Sequence, residues 1–175
     1  MSRLISLRAR RPGFRREDGA SAVELAMVLP FLILVLAGII DFGLVFSDLM
    51  SLRQGIGAGV RQGVVAQAGT ASTCTITGAA AANLETRRLM CLTKDMIGLD
   101  ESTSRTMVSF PDTKLKGGSL ILCAQHPLDS STHIFDSLIS GQLKAKVEMR
   151  IEQDLSAFGS AAESALPGGD WTWCS

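Results

Sequence analysis

The longest uninterrupted apolar pattern in the chain lies near its beginning. The run LAMVLPFLILVLAGIIDFGLVF, residues 25 to 46, contains one charged residue, Asp41. As a helix these 22 residues would extend over about 33 Å, which matches the hydrocarbon core of a bilayer. A cleaved secretory signal is the main alternative, but its apolar core usually spans only about 7 to 15 residues. The pattern therefore predicts a transmembrane helix.

The helical pattern continues beyond the apolar run to about Ala68, with small residues at every fourth position. The members of this small-residue stripe are Gly43, Ser47, Ser51, Gly55, Gly59 and Gly63. Small residues at this interval let helix backbones approach closely, so the stripe predicts helix packing. The alternative is that the glycines loosen a linker, because each costs about 1 kcal/mol relative to alanine inside a helix. Their spacing does not fit a nucleotide-binding G-x-G-x-x-G loop.

Periodicity beyond residue 69 predicts a small α+β domain. Residues 83 to 99 have the apolar spacing of a helix, and a second, short helix is expected from Ser130 and Ser131 to Gly141. Three segments are typical of strands, namely residues 105 to 110, 119 to 124 and 143 to 151. The last alternates strictly between apolar and charged residues, which indicates one buried and one solvated face. We expect an antiparallel sheet of three or four strands.

Charge is distributed unevenly although the formal net charge is zero. Six arginines, with only Glu17 and Asp18 as acids, precede the apolar run, and they are Arg3, Arg8, Arg10, Arg11, Arg15 and Arg16. Residues 20 to 175 then carry 11 basic and 15 acidic groups, a net charge of 11 − 15 = −4. A nucleic-acid-binding protein would concentrate positive charge on its folded part, so we expect no nucleic-acid partner. Arginines beside a membrane helix are retained in the cytoplasm, which predicts a cytoplasmic N-terminus.

Three residues are unusual for a membrane helix. Asp41 is expected at the outer membrane interface, and Pro30 can be accommodated where water or a neighbouring helix satisfies the freed carbonyl. Glu24 lies at the membrane edge, where a carboxylate is costly without a partner and therefore indicates function.

The segment GASAVELAMVLPFLILV, with Gly19, Glu24 and Pro30, resembles the class III prepilin signal of TadE-like pseudopilins from Tad (Flp) tight-adherence pilus systems. The resemblance implies that a prepilin peptidase cuts between Gly19 and Ala20. It also implies that Glu24 stays in the mature helix and meets the terminal amine of a neighbouring subunit. Leu25 stands where major pilins have an aromatic residue, which favours the minor, pseudopilin branch. Arg61 with Gly63, and Arg150 with Glu152, are further matching positions.

Taken together, the resemblance implies a non-enzymatic minor pilin in three segments. Residues 1–19 are a cytoplasmic basic leader, residues 20–68 a transmembrane and extended helix, and residues 69–175 an extracytoplasmic domain. The implied partners are other pilins or pseudopilins, the Tad assembly platform, the prepilin peptidase and membrane lipid. The implied location is a bacterial inner membrane, with the domain in the periplasm. The alternative is a signal-anchored periplasmic binding module that never enters a pilus.

Four cysteines lie beyond the membrane helix, at Cys74, Cys91, Cys123 and Cys174. Under this topology they face an oxidising compartment, so two disulfides are expected. Three connectivities are open, and we favour Cys74 with Cys91 and Cys123 with Cys174. The second bridge would hold Trp171 and Trp173 against the domain. The alternative is that these two tryptophans form a partner-binding patch.

Chemistry at the cysteines is a weaker alternative. Cys123, His126 and His133 suggest a metal site, but structural zinc sites usually have a second tight pair of ligands. A thiol enzyme using Cys123, His133 and Asp136 can also be drawn, yet the nearest two cysteines are 17 residues apart, unlike a redox C-x-x-C motif. We therefore expect no enzymatic activity, metal or cofactor.

Overall fold

A computed structural model describes residues 16–70, 74–78, 83–128, 130, 132, 134 and 140–174. The chain divides into two compact units, Met1–Ile39 and Ile40–Ser175. The first contributes a segment of the long N-terminal helix, and the second holds the remainder of that helix with a small α+β domain. The fold class expected from the sequence is confirmed.

Helix α1 spans Arg16–Val64 and contains Pro30. Its described part begins at Arg16, four residues before the predicted start at Ala20. It ends four residues before the predicted Ala68, because Ala66 adopts a left-handed conformation with φ 57°. Two backbone bonds close this end as a Schellman motif, from Ala66 N to Gly63 O at 3.0 Å and from Gln67 N to Gln62 O at 2.9 Å.

Helix α2 spans Leu84–Ile97, slightly shorter than the predicted 83–99. The Asn83 side chain caps its start by accepting a 3.1 Å hydrogen bond from Thr86 N. Gly98 ends it in the left-handed conformation, with φ 68°, and donates its backbone N–H to Lys94 O. Asn and Gly suit these two positions for opposite reasons, the first by its oxygen acceptor and the second by its lack of a Cβ.

Four strands form one antiparallel sheet in the order β3-β2-β1-β4. They are β1 (Arg105–Ser109), β2 (Ser119–Pro127), β3 (Gln142–Arg150) and β4 (Ala161–Ala162). Along β3 the charged residues are exposed and the apolar residues are buried or half-buried, as the alternation predicted. Strand β4 was not predicted, because two alanines carry no alternation. The short helix predicted from Ser130 to Gly141 lies mostly outside the described residues.

The central strand β2 is buried on both faces, which its sequence alternation did not indicate. On one face Leu120, Leu122 and Ala124 join the main core with α1 and α2. On the other, Ile121 and Cys123 pack with the chain near Cys174. Burial on this second face arises because the segment after β4 returns across the sheet.

A disulfide and several hydrogen bonds hold that returning C-terminal segment in place. Cys123 is disulfide-bonded to Cys174. The Gln125 amide donates to Asp170 O at 2.5 Å, and Trp171 Nε1 donates to Glu163 O at 2.8 Å. Trp171 and Trp173 are half-buried and pack beside the disulfide, with ring centroids 5.8 Å apart.

A fully buried ion pair joins α2 to the chain after β4. Lys94 Nζ donates to Glu163 Oε1 at 2.7 Å, and both side chains are 0% exposed. Lys94 also donates to the carbonyls of Thr75 and Glu101 at 2.7 and 3.2 Å. Glu163 in turn accepts from Thr77 N at 3.1 Å and from Thr106 N and Oγ1 at 2.7 and 3.0 Å. Both buried charges thus have several hydrogen-bond partners, which are needed to offset the free-energy cost of burying a charge.

Replacing Lys94 with Met should strongly destabilise the domain, because Glu163 would remain buried without its counter-charge. We expect the free energy of unfolding of the full chain in detergent to fall by about 3–5 kcal/mol. Arg88→Met is the control, since the Arg88–Glu85 pair lies on the same helix at the surface. It should cost less than about 1 kcal/mol. Equal losses in chemical denaturation would contradict the role given to the buried pair.

Gly55 and Gly57, two residues apart on α1, offer a matched test of helix packing. A Cβ added at Gly55 would lie 2.6 Å from Ile97 N on α2, whereas one added at Gly57 meets nothing within 4 Å. Gly55→Ala should therefore lower the free energy of unfolding by about 1–3 kcal/mol, because backbone would have to move. Gly57→Ala should raise it by up to about 1 kcal/mol through helix propensity. Stabilisation by both changes would show that the helices do not need this close approach.

Candidate membrane and assembly segment

In the first unit, the residues of α1 from Gly19 to Leu36 are all exposed, and most of them are apolar. Its most apolar 18-residue window has a mean hydropathy of 2.7, and Leu25, Phe31 and Val35 are each more than half exposed. Apolar side chains on every side suit a helix surrounded by lipid or protein, not one facing water. In the part of the chain that the structure describes, α1 is the one helix long and apolar enough to cross a membrane. It fits a single-pass membrane anchor.

Gly19 and Ala20 lie in the first turns of α1 and are exposed. A Cβ on Gly19 would meet nothing within 4 Å, so packing within this chain does not require glycine there. Cleavage at this bond stays a prediction. Because a protease needs an extended backbone, cleavage would require the first turns of α1 to open.

Glu24 and Pro30 are also exposed, on the helical segment that follows. Glu24 comes five residues after Gly19, a little over one turn, and α1 continues without a break through Pro30. The assembly role of both residues stays a prediction. Their exposure leaves them accessible to another chain.

The small-residue stripe divides into two parts. Gly55, Gly59 and Gly63 are buried, and added Cβ atoms would clash with Ile97, Thr93 and Leu120 respectively. This half of the stripe serves packing inside the domain, against α2 and the sheet. Gly43 and Ser47 are exposed, and a Cβ on Gly43 meets nothing within 4 Å.

Asp41 was expected at the outer membrane interface, and the structure buries it within the chain. Its side chain is 1% exposed, and it accepts hydrogen bonds from Ser130 Oγ at 2.7 Å, Thr132 N at 3.1 Å and Thr132 Oγ1 at 2.6 Å. These donors lie in the connection between β2 and β3. Sequence reasoning missed this cluster, although a single acid in an apolar run was a signal that something must bind it.

The alternative metal site and the alternative thiol enzyme both require a free cysteine thiol, but the cysteines form disulfides. Cys74 is bonded to Cys91 and Cys123 to Cys174, the pairing favoured from the sequence. Cys123 therefore has no free thiolate for a metal or a substrate. His126 Nδ1 forms a 3.1 Å hydrogen bond with Ser104 Oγ. His133 and Asp136, which completed the other arrangements, lie outside the described residues.

A long exposed apolar helix that continues into a disulfide-bonded α+β domain defines the layout of a single-pass anchored protein. Residues 19–64 match the family model described as "TadE-like protein", which confirms the resemblance found in the sequence. The matched segment is about a quarter of the chain. That family is a structural one. No curated protein and no solved structure matches the chain significantly.

Asp41→Ala should release the β2–β3 connection from α1. Hydrogen bonds to a carboxylate are worth about 1.5–3 kcal/mol each, but the freed hydroxyls regain water, so we expect a net loss of about 2–3 kcal/mol. Hydrogen exchange at the Thr132 amide should accelerate. Asp48→Ala, one acid seven residues further along α1, should change stability by less than about 0.5 kcal/mol. Unchanged exchange at Thr132 in the Asp41 variant would refute the contact.

Proposed function

We propose that this chain is a minor pilin-like subunit that takes part in assembling a Tad (Flp) type pilus. It is anchored in the bacterial inner membrane by α1, with the N-terminus in the cytoplasm and the α+β domain in the periplasm. Its own role is structural. Its partners are other pilins or pseudopilins, the assembly platform, the prepilin peptidase and lipid.

The extent of the family match is the observation that carries this proposal. The match begins at Gly19, the residue before the expected cut, and ends at Val64, the last residue of α1. The matched segment therefore overlaps most of the mature helix expected at residues 20–68. The α+β domain lies beyond the matched segment.

The proposed orientation rests on charge and on the cysteines. Six arginines precede Gly19, and basic residues beside a membrane helix favour the cytoplasmic side. All four cysteines lie beyond the helix and are paired, which requires an oxidising environment. The two features lie on opposite sides of the apolar run, so they support the same topology.

Glu24 supplies the proposed chemistry of assembly. A carboxylate in hydrocarbon is costly, whereas one that meets a cation is stabilised. Cleavage after Gly19 would create such a cation, the amino group of Ala20. Glu24 would meet this amine on a neighbouring subunit, as the resemblance implies.

The Glu24→Gln variant should insert in the membrane and be processed normally, yet fail to support pilus assembly in the native host. The amide keeps the size of the side chain but cannot pair with an amine. Asp48→Asn makes the same chemical change further along α1, and piliation should survive it. Piliation would be counted by electron microscopy, and mass spectrometry of the extracted protein should find Ala20 at the mature N-terminus.

Two results would count against the proposal. A mature chain that still starts at Met1 or Ser2, with normal piliation in the Glu24→Gln variant, would favour a signal-anchored binding module outside any pilus. A start beyond about residue 40 would indicate cleavage as a secretory signal, whose apolar core is usually removed.

A further inference from the structure

The apolar exposed surface of α1 extends into the folded unit, past the buried Asp41. Phe42, Leu44, Phe46 and Met50 are each between 45% and 62% exposed. On the other side of the helix, Val45, Leu49 and Leu52 pack into the domain core. Among the described residues, this outer side of α1 is left uncovered over more than two turns. Exposed large apolar side chains in a contiguous group mark an interaction surface.

The position of Asp41 shows how deep the domain reaches along this surface. Phe46, where the apolar run ends, lies five residues beyond Asp41, or about 8 Å along the helix. An acid at the centre of a membrane helix costs about 2.5–3.5 kcal/mol, and less near the interface. The hydrogen bonds from Ser130 and Thr132 satisfy this carboxylate. The domain therefore covers the acid at a level where the sequence is still apolar.

The segment that supplies those donors presents an apolar side chain of its own. Ile134 is 53% exposed, and its N–H lies 3.5 Å from Thr132 Oγ1. Thr132 is hydrogen-bonded to Asp41 on α1. Ile134 follows only two residues after Thr132 along the chain. Ile134 and the uncovered side chains of α1 from Phe42 onward belong to the same compact unit.

We propose that Ile134 in the β2–β3 connection extends the lipid-contacting surface of α1, so that Ile134 and the uncovered face of the helix rest together in the outer leaflet of a phospholipid bilayer. The inference depends on the proposed membrane anchoring of α1. Lipid is the occupant because Phe42, Leu44 and Phe46 belong to the apolar run of residues 25 to 46. The first charged side chains beyond that run are the half-buried Asp48 and the exposed Arg53. From Leu25 to Arg53 a helix rises about 42 Å, which matches a bilayer including its interfaces.

The test places a single fluorescent label on the full chain in phospholipid vesicles that contain doxyl-labelled lipids. All cysteines in the described chain are disulfide-bonded, so an added cysteine is the one thiol open to labelling. Ile134→Cys carries the label at the proposed surface. Leu115→Cys is the matched control, because Leu115 is 55% exposed but lies in the β1–β2 connection, at the opposite end of the sheet. Phe31→Cys reports on the anchor itself.

The proposal expects the label at 134 to be quenched by doxyl groups near the headgroups and its emission to shift to shorter wavelength. The label at 115 should show neither effect, and the label at 31 should be quenched by doxyl groups deep in the acyl chains. Quenching at 31 but not at 134 would overturn this inference and leave the anchoring intact. No quenching at 31 would overturn both.

A second copy of the chain is the competing occupant of this surface. In that case the emission at 134 would change with protein concentration in detergent and would not respond to doxyl lipids. Such a result would overturn the lipid assignment. A response to doxyl position that is independent of protein concentration supports it.

Discussion

The buried ion pair between Lys94 and Glu163 is the interaction on which the domain depends most. It lies where α2, the loop around Thr75, strand β1 and the segment after β4 meet. None of these elements is long, and β4 has only two residues, so apolar contact alone would fix their arrangement weakly. A charge pair tolerates little error, because any displacement leaves an ion buried without a partner. The pair therefore specifies one arrangement of short elements that could otherwise pack in several ways.

The structural requirements on helix α1 differ between its first and its last part. In its first part it needs only apolar residues, so glycine at Gly19 and proline at Pro30 meet no packing restriction within the chain. In its last part it is also a core element, where Gly55, Gly59 and Gly63 let α2 and the sheet come close. Its final carbonyl, of Val64, accepts hydrogen bonds from Glu152 and Gln153 just after β3. The end of α1 in the second unit is thus fastened directly to the chain that follows β3.

Much of this architecture could be predicted from the sequence, because its signals are local. The apolar run gave α1, the alternation of residues 143 to 151 gave β3, and Gly98 and Asn83 mark the ends of α2. Other features depend on contacts between distant residues and have no local signal. Strand β4 is two alanines, the double burial of β2 depends on a segment 40 residues later, and Asp41 finds its donors some 90 residues away. The ion pair joins residues 69 apart, and the sequence analysis did not identify it.

The two disulfides differ in when they can form. Cys74 and Cys91 are 17 residues apart, and both have emerged before any strand of the sheet has been made. Cys123 must wait for Cys174, which follows all four strands. Between these events the thiol of Cys123 is open to pair with the wrong cysteine or with another molecule. Early closure of the first bridge removes both wrong cysteine partners within the chain, so the order of emergence itself directs oxidation toward the native pairing.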